Sequence, residues 1–156
     1  MIQMQVQGLA LDPTTNMPVV ILKGENDEIL SIWIGSFEAN AIAMKLENVN
    51  APRPMTHDLI TNLIEGMKGK VEYIHINDLR EGTYYAEIVI NLDGKNISID
   101  SRPSDAINVA LRCDAPIYVS DKVLKATQEK MEDIDIDEVK EWLESLKPED
   151  FEREET

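Results

Sequence analysis

Two stretches of fifteen residues decide the fold that we predict: SIWIGSFEANAIAMK at positions 31–45 and SIDSRPSDAINVALR at positions 98–112. They are offset by 67 residues, and 8 of the 15 aligned positions carry identical or similar residues. Each stretch begins as a strand and continues with apolar residues at the spacing of one helix face. The match suggests a duplicated strand-and-helix unit in which Glu38 and Asp105 occupy equivalent places.

Strand patterns surround these two units, and turn residues separate them. Strands are predicted within 2–34 (three strands) and at 70–79, 84–92, 96–100 and 115–119, followed by a turn at 120–124. Between them we expect helices at about 36–46, 56–67 and 103–112. The fold class is therefore α+β, with an antiparallel-rich mixed sheet, three main helices, a possible internal strand–helix duplication and an acidic C-terminal helix.

The second helix has two features that can be compared with a structure. Thr56 is a candidate N-cap because its hydroxyl can accept a hydrogen bond from the first turn. The predicted buried stripe consists of Leu59, Leu63, Ile64 and Met67.

The chain divides into a folded domain at 1–127 and an acidic segment at 128–156. Within that segment, Val139, Trp142, Leu143 and Leu146 form one apolar stripe of a predicted helix. A helix of about a dozen residues is marginal alone, so we expect it to dock on the domain, on another subunit or on a protein partner. The short strands and this tail also predict a homo-oligomer.

Composition narrows the class of protein. The 156 residues carry a net charge of −15, of which residues 129–156 contribute −9. Nucleic-acid binding would therefore need a local basic patch, with Arg53, Arg102 and Arg112 as candidates, or a bridging divalent metal. The single cysteine rules out a disulfide within one chain. Without a leader or membrane-spanning pattern, we expect a cytoplasmic protein that does not enter a membrane.

Two motifs carry the chemistry: PRPMTHDL at 52–59 and DSRPSDA at 100–106. Each sets an arginine beside a proline and then places a carboxylate in the first turn of a helix. Proline fixes φ, so each Arg-Pro pair is extended and the helix begins at a defined residue. Such rigid polar corners suit a phosphate-handling or metal-binding site.

These motifs, together with IWIG at 32–35, EANAIA at 38–43 and APIYV at 115–119, resemble the bifunctional nuclease domain of bacteria and plants. The resemblance covers about residues 1–125. It implies hydrolysis of phosphodiester bonds in RNA or DNA. The alternative is a non-catalytic oligomeric module that binds an anion or a protein partner, which the acidic charge and the 5% aromatic content favour.

The chemistry of the residues suggests roles for them in a nuclease. The predicted catalytic residues are His57, Asp58 and Asp105; the phosphate-binding residues are Arg53 and Arg102; the ligands of Mg²⁺ or Mn²⁺ are Glu38, Asp100 and Asp105. Carboxylates at strand-to-helix junctions can gather at one edge of a sheet and hold such an ion. The alternative interpretation is that each acid stabilises only the N-terminus of its helix and that each arginine pairs with a nearby acid.

Overall fold

The protein is described from a computed structural model, which covers residues 1–131. The strands are β1 (Ile2–Leu11), β2 (Pro18–Gly24), β3 (Ile29–Trp33), β4 (Lys70–Arg80), β5 (Thr83–Leu92), β6 (Lys95–Ser101) and β7 (Ile117–Val119). The helices are α1 (Ser36–Leu46), α2 (Thr56–Gly66), α3 (Pro103–Cys113) and α4 (Asp121–Met131). The α+β prediction is confirmed. The predicted tail helix lies outside the described residues.

The seven strands form one mixed sheet in the order β3-β2-β1-β7-β4-β5-β6. All neighbouring strands are antiparallel except β4 and β7, which are parallel. The strands β1 to β3 make one meander and β4 to β6 a second, and the short β7 joins the two. A helix follows each meander directly, α1 after β3 and α3 after β6.

The predicted duplication agrees with this topology. A shift of 67 residues carries the bounds of α1, 36–46, onto those of α3, 103–113. Both helices therefore begin at the same point of their repeat. Glu38 and Asp105 are each the third residue of their helix.

The main core lies between one face of the sheet and the helices. Ile42 of α1, Ile64 of α2 and Ile107 of α3 pack with sheet residues that include Ile74 and Ile76. The central helix α3 contacts α1 on one side and α2 on the other. This packing brings the N-terminal turns of three helices into one neighbourhood.

The buried face of α2 differs from the prediction. Ile64 is buried, but Leu59, Leu63 and Met67 are more than half exposed. His57 and Thr61 are buried instead, and both have hydrogen-bond partners. The His57 imidazole pairs with Asp105, and the Thr61 hydroxyl donates to the His57 carbonyl oxygen at 3.1 Å. The helix thus turns a polar stripe inward and an apolar stripe outward.

Two local predictions were also wrong. The N-cap of α2 is Met55 and not Thr56; the Met55 N–H donates to the Asp58 carboxylate at 3.0 Å, which satisfies a donor that the helix leaves free. The expected turn at 120–124 is the start of α4, whose Val123 and Leu124 are buried in the main core.

Candidate functional site

Arg102 joins the two halves of the duplication. It is the N-cap residue of α3, where proline at the next position holds it in an extended conformation. Its Nε donates to Asp105 Oδ2 at 2.8 Å, and a terminal nitrogen donates to Glu38 Oε1 at 2.7 Å. The arginine side chain is 64% exposed, whereas Glu38 is 16% exposed. A solvent-facing guanidinium therefore bridges two largely covered carboxylates.

Asp105 also holds His57. Its Oδ1 lies 2.8 Å from His57 Nε2, and the imidazole is almost completely buried. An ionised carboxylate can only accept, so Nε2 carries the proton and, in the neutral ring, Nδ1 carries the lone pair. We refer to Glu38, His57, Arg102 and Asp105 as the Arg102 cluster.

The cluster keeps Asp105 ionised. Partial burial alone would raise the pKa of Asp105, but the hydrogen bonds from Arg102 and His57 together bring that pKa below its ordinary value. The same contacts, to Asp105 first and then to Glu38, raise the pKa of Arg102. Both groups are charged at neutral pH.

Asp58 belongs to a second arrangement, beside the first. Its Oδ1 accepts a hydrogen bond from Arg112 Nε at 2.8 Å, and its Oδ2 accepts one from the Met55 N–H. These two hydrogen bonds, with that of Met55 the larger influence, lower the pKa of Asp58. Asp58 thus caps α2 and anchors it to α3.

Arg112 is a buried connection among three helices. Beyond Asp58, it donates to the Asn108 carbonyl and side-chain oxygens and to the Ala41 carbonyl oxygen of α1, at 3.1 to 3.3 Å. Its side chain is only 10% exposed. Its contacts therefore indicate a structural role, and Arg112 adds little to the exposed basic patch for which it was one of three candidates.

Gly35 makes room for Glu38. It is the N-cap residue of α1, and a Cβ built at Gly35 would overlap Glu38 Oε2. Asn108 fixes the same turn from α3, since its amide donates to the Glu38 carbonyl oxygen at 3.1 Å. Glu38 is thereby held back over its own helix start, toward Arg102.

The structure does not bring Arg53 and Asp100 into the cluster. Arg53 is exposed in the segment before α2, and its side chain makes no hydrogen bond or ion pair with residues 1–128, whose side chains the structure describes. Asp100 is exposed on β6, where it pairs in register with Glu87. Strand alternation places it on the face of Ser98, whose hydroxyl contacts Glu87, away from the helices.

The carboxylates fit a guanidinium better than a divalent cation. Both oxygens of Asp105 and one of Glu38 already accept hydrogen bonds from Arg102 or His57. Among the residues that the structure describes, no group of three or more His, Cys, Asp and Glu side chains could hold a metal ion. Mg²⁺ or Mn²⁺ would have to displace Arg102.

A cleft of about 220 Å³ lies beside the N-terminus of α2. Met44 and Val49 line one part, Met55 another, and the Asp58–Arg112 pair also lines it. The cleft offers both apolar and polar surface, but none of the four residues of the Arg102 cluster lines it.

Gly35 and Asn108 were not singled out from the sequence as parts of the site, and the pairing of Arg112 with Asp58 was not predicted. The offset of 67 residues was the available signal, because it aligns Gly35 with Arg102 and Ala41 with Asn108. One half of the duplication carries small residues where the other carries polar ones. Gly35 leaves room for Glu38 of its own half, and the Ala41 carbonyl oxygen accepts a hydrogen bond from Arg112 of the other half.

Comparisons with known proteins identify the family. The profile of the bifunctional nuclease domain matches residues 20–132. Uncharacterized proteins from two strains of Mycobacterium tuberculosis are 39% identical over an alignment of 163 positions. The alignment covers 96% of this chain and 97% of each relative. No helix within residues 1–131 is long and apolar enough to cross a membrane.

Plant proteins match over the domain. Bifunctional nuclease 2 of Oryza sativa subsp. japonica is 30% identical over 118 residues, and bifunctional nuclease 1 of Arabidopsis thaliana is 29% identical over 119 residues. These matches cover 72% and 73% of this chain but only 36% and 37% of the plant proteins. With its duplicated meander-and-helix fold and the profile match over most of its length, the chain belongs to the bifunctional nuclease domain family.

Proposed function

We propose that this protein hydrolyses phosphodiester bonds in RNA or DNA, with the Arg102 cluster as its active site. The observation that carries the proposal is the contact between His57 and Asp105 beneath an exposed arginine. The names of the plant relatives support the reaction class. The cluster supplies a base, a group that orients the base and a cation for phosphate.

His57 is the proposed general base. Asp105 accepts the proton of Nε2 and so presents the lone pair of Nδ1 to a water molecule. As the water oxygen attacks phosphorus, His57 takes its proton; the bond to the leaving sugar oxygen breaks with its electron pair on that oxygen, which takes a proton from solvent. Asp105 stabilises the imidazolium that forms.

Arg102 is the proposed phosphate-binding residue. Its guanidinium can bind two phosphate oxygens at once, and charge that develops on them in the transition state strengthens the contact. Arg53, exposed before α2, is a proposed second contact to the nucleic-acid backbone. Mg²⁺ or Mn²⁺ could bind the cluster carboxylates only by displacing Arg102, and the proposed reaction does not require either ion.

The matched histidines of this chain provide the test. His75 also contacts a carboxylate, Glu87, at 3.3 Å, but it lies on β4 away from the cluster. Purified wild type, His57→Gln and His75→Gln are assayed on labelled single-stranded and duplex RNA and DNA, with EDTA or with added Mg²⁺ or Mn²⁺. We expect His57→Gln to lose about 10²–10⁴-fold in kcat/KM and His75→Gln to retain activity.

The controls separate catalysis from folding and from metal dependence. Circular dichroism and a thermal melt must show that His57→Gln is folded. Equal activity in the two variants would contradict the assignment of His57. Cleavage that EDTA abolishes and Mn²⁺ restores would contradict a base-only reaction.

A second candidate function is a non-catalytic module that binds a protein partner. One observation favours it: Met55, Leu59, Leu63 and Met67 follow one another at four-residue spacing and form an exposed apolar stripe along α2. The absence of cleavage by folded wild type on all four substrates would favour this alternative.

A further inference from the structure

The strand β6 is an unusually open edge of the sheet. Among residues 1–131 it pairs with β5 alone, and six of its seven residues are exposed. Ile97 and Ile99 are 39% and 46% exposed although both belong to a strand. An edge strand with free backbone groups and apolar side chains is a template for pairing with another strand.

Two of the usual protections of an edge strand, proline and a β-bulge, are missing from β6, although it carries the charged residues Lys95 and Asp100. It contains no proline, and its register with β5 is continuous from Lys95 to Ser101. The β1–β2 and β4–β5 pairs, in contrast, contain register shifts. At the opposite edge of the sheet, β3 buries Leu30 and Ile32. Of the two edge strands, β6 therefore has the larger share of exposed residues.

We propose that β6 pairs antiparallel with β6 of a second copy of this chain, about a two-fold axis at Ser98. Pairing the full length of both strands determines this register. It sets Ile97 opposite the partner's Ile99 on one face, and a slip of one residue would put them on opposite faces. In this register every residue of β6 has an opposite residue in the partner strand, and the exposed isoleucines of the two strands lie on the same face of the sheet.

The same register brings a cation to the Arg102 cluster. Lys95 lies opposite the partner's Ser101, and each Ser101 directly precedes an Arg102. Odd-numbered residues of β6 lie on the helix side, because Ile99 is the register partner of the core residue Ile88. Each Lys95 therefore approaches the other copy's cluster from the helix side.

The charges of the two surfaces match. The Arg102 cluster has two carboxylates against one guanidinium, so a second cation is favoured there. Lys95 makes no ion pair with the described residues of its own chain, which leaves it available. If the proposed nuclease function holds, the partner's Lys95 also adds positive charge beside the phosphate-binding arginine in a chain that is acidic overall.

Cysteine cross-linking of the full chain tests the axis. In a Cys113→Ser background, Ser98→Cys places the two new cysteines opposite each other, with Cα atoms about 4.5–5.5 Å apart, within disulfide reach. Asn96→Cys is the matched control on the same face, where the two cysteines would be about 13 Å apart along the strands. We expect mild oxidation to give a covalent dimer for Ser98→Cys and not for Asn96→Cys.

Light scattering on unmodified protein gives the second readout. We expect a dimer that Ile97→Lys converts to monomer, while Leu63→Lys, at the exposed stripe of α2, leaves it dimeric. A monomeric wild type, a dimer that survives Ile97→Lys, dissociation by Leu63→Lys, or equal cross-linking of both cysteine variants would each overturn the proposal. Cross-linking without nuclease activity would sustain the dimer and reject the proposed reaction.

Discussion

Glu38 and Asp105 are 67 residues apart, yet each is the third residue of its helix and each accepts a hydrogen bond from Arg102. The corresponding N-cap positions hold Gly35 in one half and Arg102 in the other. The two repeat units therefore differ at this position. Arg102 supplies the cation, and Gly35 leaves the space that the Glu38 carboxylate occupies. A single guanidinium serves both halves.

Gly35→Ala tests this division of roles. The backbone of Gly35 is extended (φ −72, ψ 156), a conformation that alanine adopts, so the added methyl group acts on Glu38 alone. Alanine restricts the unfolded chain more than glycine does, and this effect alone should raise the free energy of unfolding by about 0.4–1 kcal/mol. When Glu38 is present, the added methyl group also weakens the Glu38–Arg102 contact. This loss should lower the free energy of unfolding by about 0.2–1 kcal/mol, a value suited to a pair whose arginine faces solvent.

A double-mutant cycle in urea isolates that loss. We expect Gly35→Ala to be more stabilising in a Glu38→Ala background than in the wild type. An identical effect in the two backgrounds would mean that Gly35 does not position Glu38.

Arg112→Ala is expected to lower the free energy of unfolding by about 2–3 kcal/mol. The change removes contacts to α1 and α2 at once and leaves the Asp58 carboxylate without its guanidinium partner. Lys45, the exposed equivalent in the other half, is the matched control, and Lys45→Ala should change stability by less than about 0.5 kcal/mol. Equal losses in urea unfolding would refute a structural role for Arg112.

The pH dependence of stability should report on Asp105. Its pKa in the folded state is below its ordinary value of 3.8, so its contacts stabilise the fold above that pH and are lost as the pH falls through the folded pKa. Asp105→Asn should therefore be less stable than wild type at about pH 6 and should lose less further stability on acidification to about pH 3. Parallel urea-unfolding curves against pH for the two proteins would disprove this.

The reversed face of α2 can be checked with neighbouring residues. Ile64→Ala should cost about 2–4 kcal/mol, because the side chain is 7% exposed and its removal leaves a cavity. Leu63→Ala, at a side chain 55% exposed, should cost less than about 0.5 kcal/mol. A larger cost at Leu63 would mean that the stripe is covered in solution.

Much of the fold could be predicted because it depends on local patterns. Turn residues and apolar spacing located the strands and α1 to α3 within a few residues, and the offset of 67 residues indicated the duplication. The face of α2 could not be read from spacing, because its inward polar residues, His57 and Thr61, are satisfied by partners that the spacing does not reveal. One of those partners, Asp105, is 48 residues away from His57.

The sequence indicated which residues lie in the Arg102 cluster better than it indicated which of them contact one another. Clustering of Glu38, His57, Arg102 and Asp105 followed from helix starts gathering at one sheet edge. Asp100 was predicted to join them because it also lies at a strand-to-helix junction, but strand alternation turns it to the other face.

The most direct test of the central claim is the coupling between His57 and Asp105 in cleavage. We predict that Asp105→Asn and His57→Gln each lower kcat/KM by at least about 10²-fold, and that the double variant is scarcely slower than the worse single variant, because the two act as a unit. Losses that multiply in the folded double variant, or single variants that cleave as fast as wild type, would contradict the account.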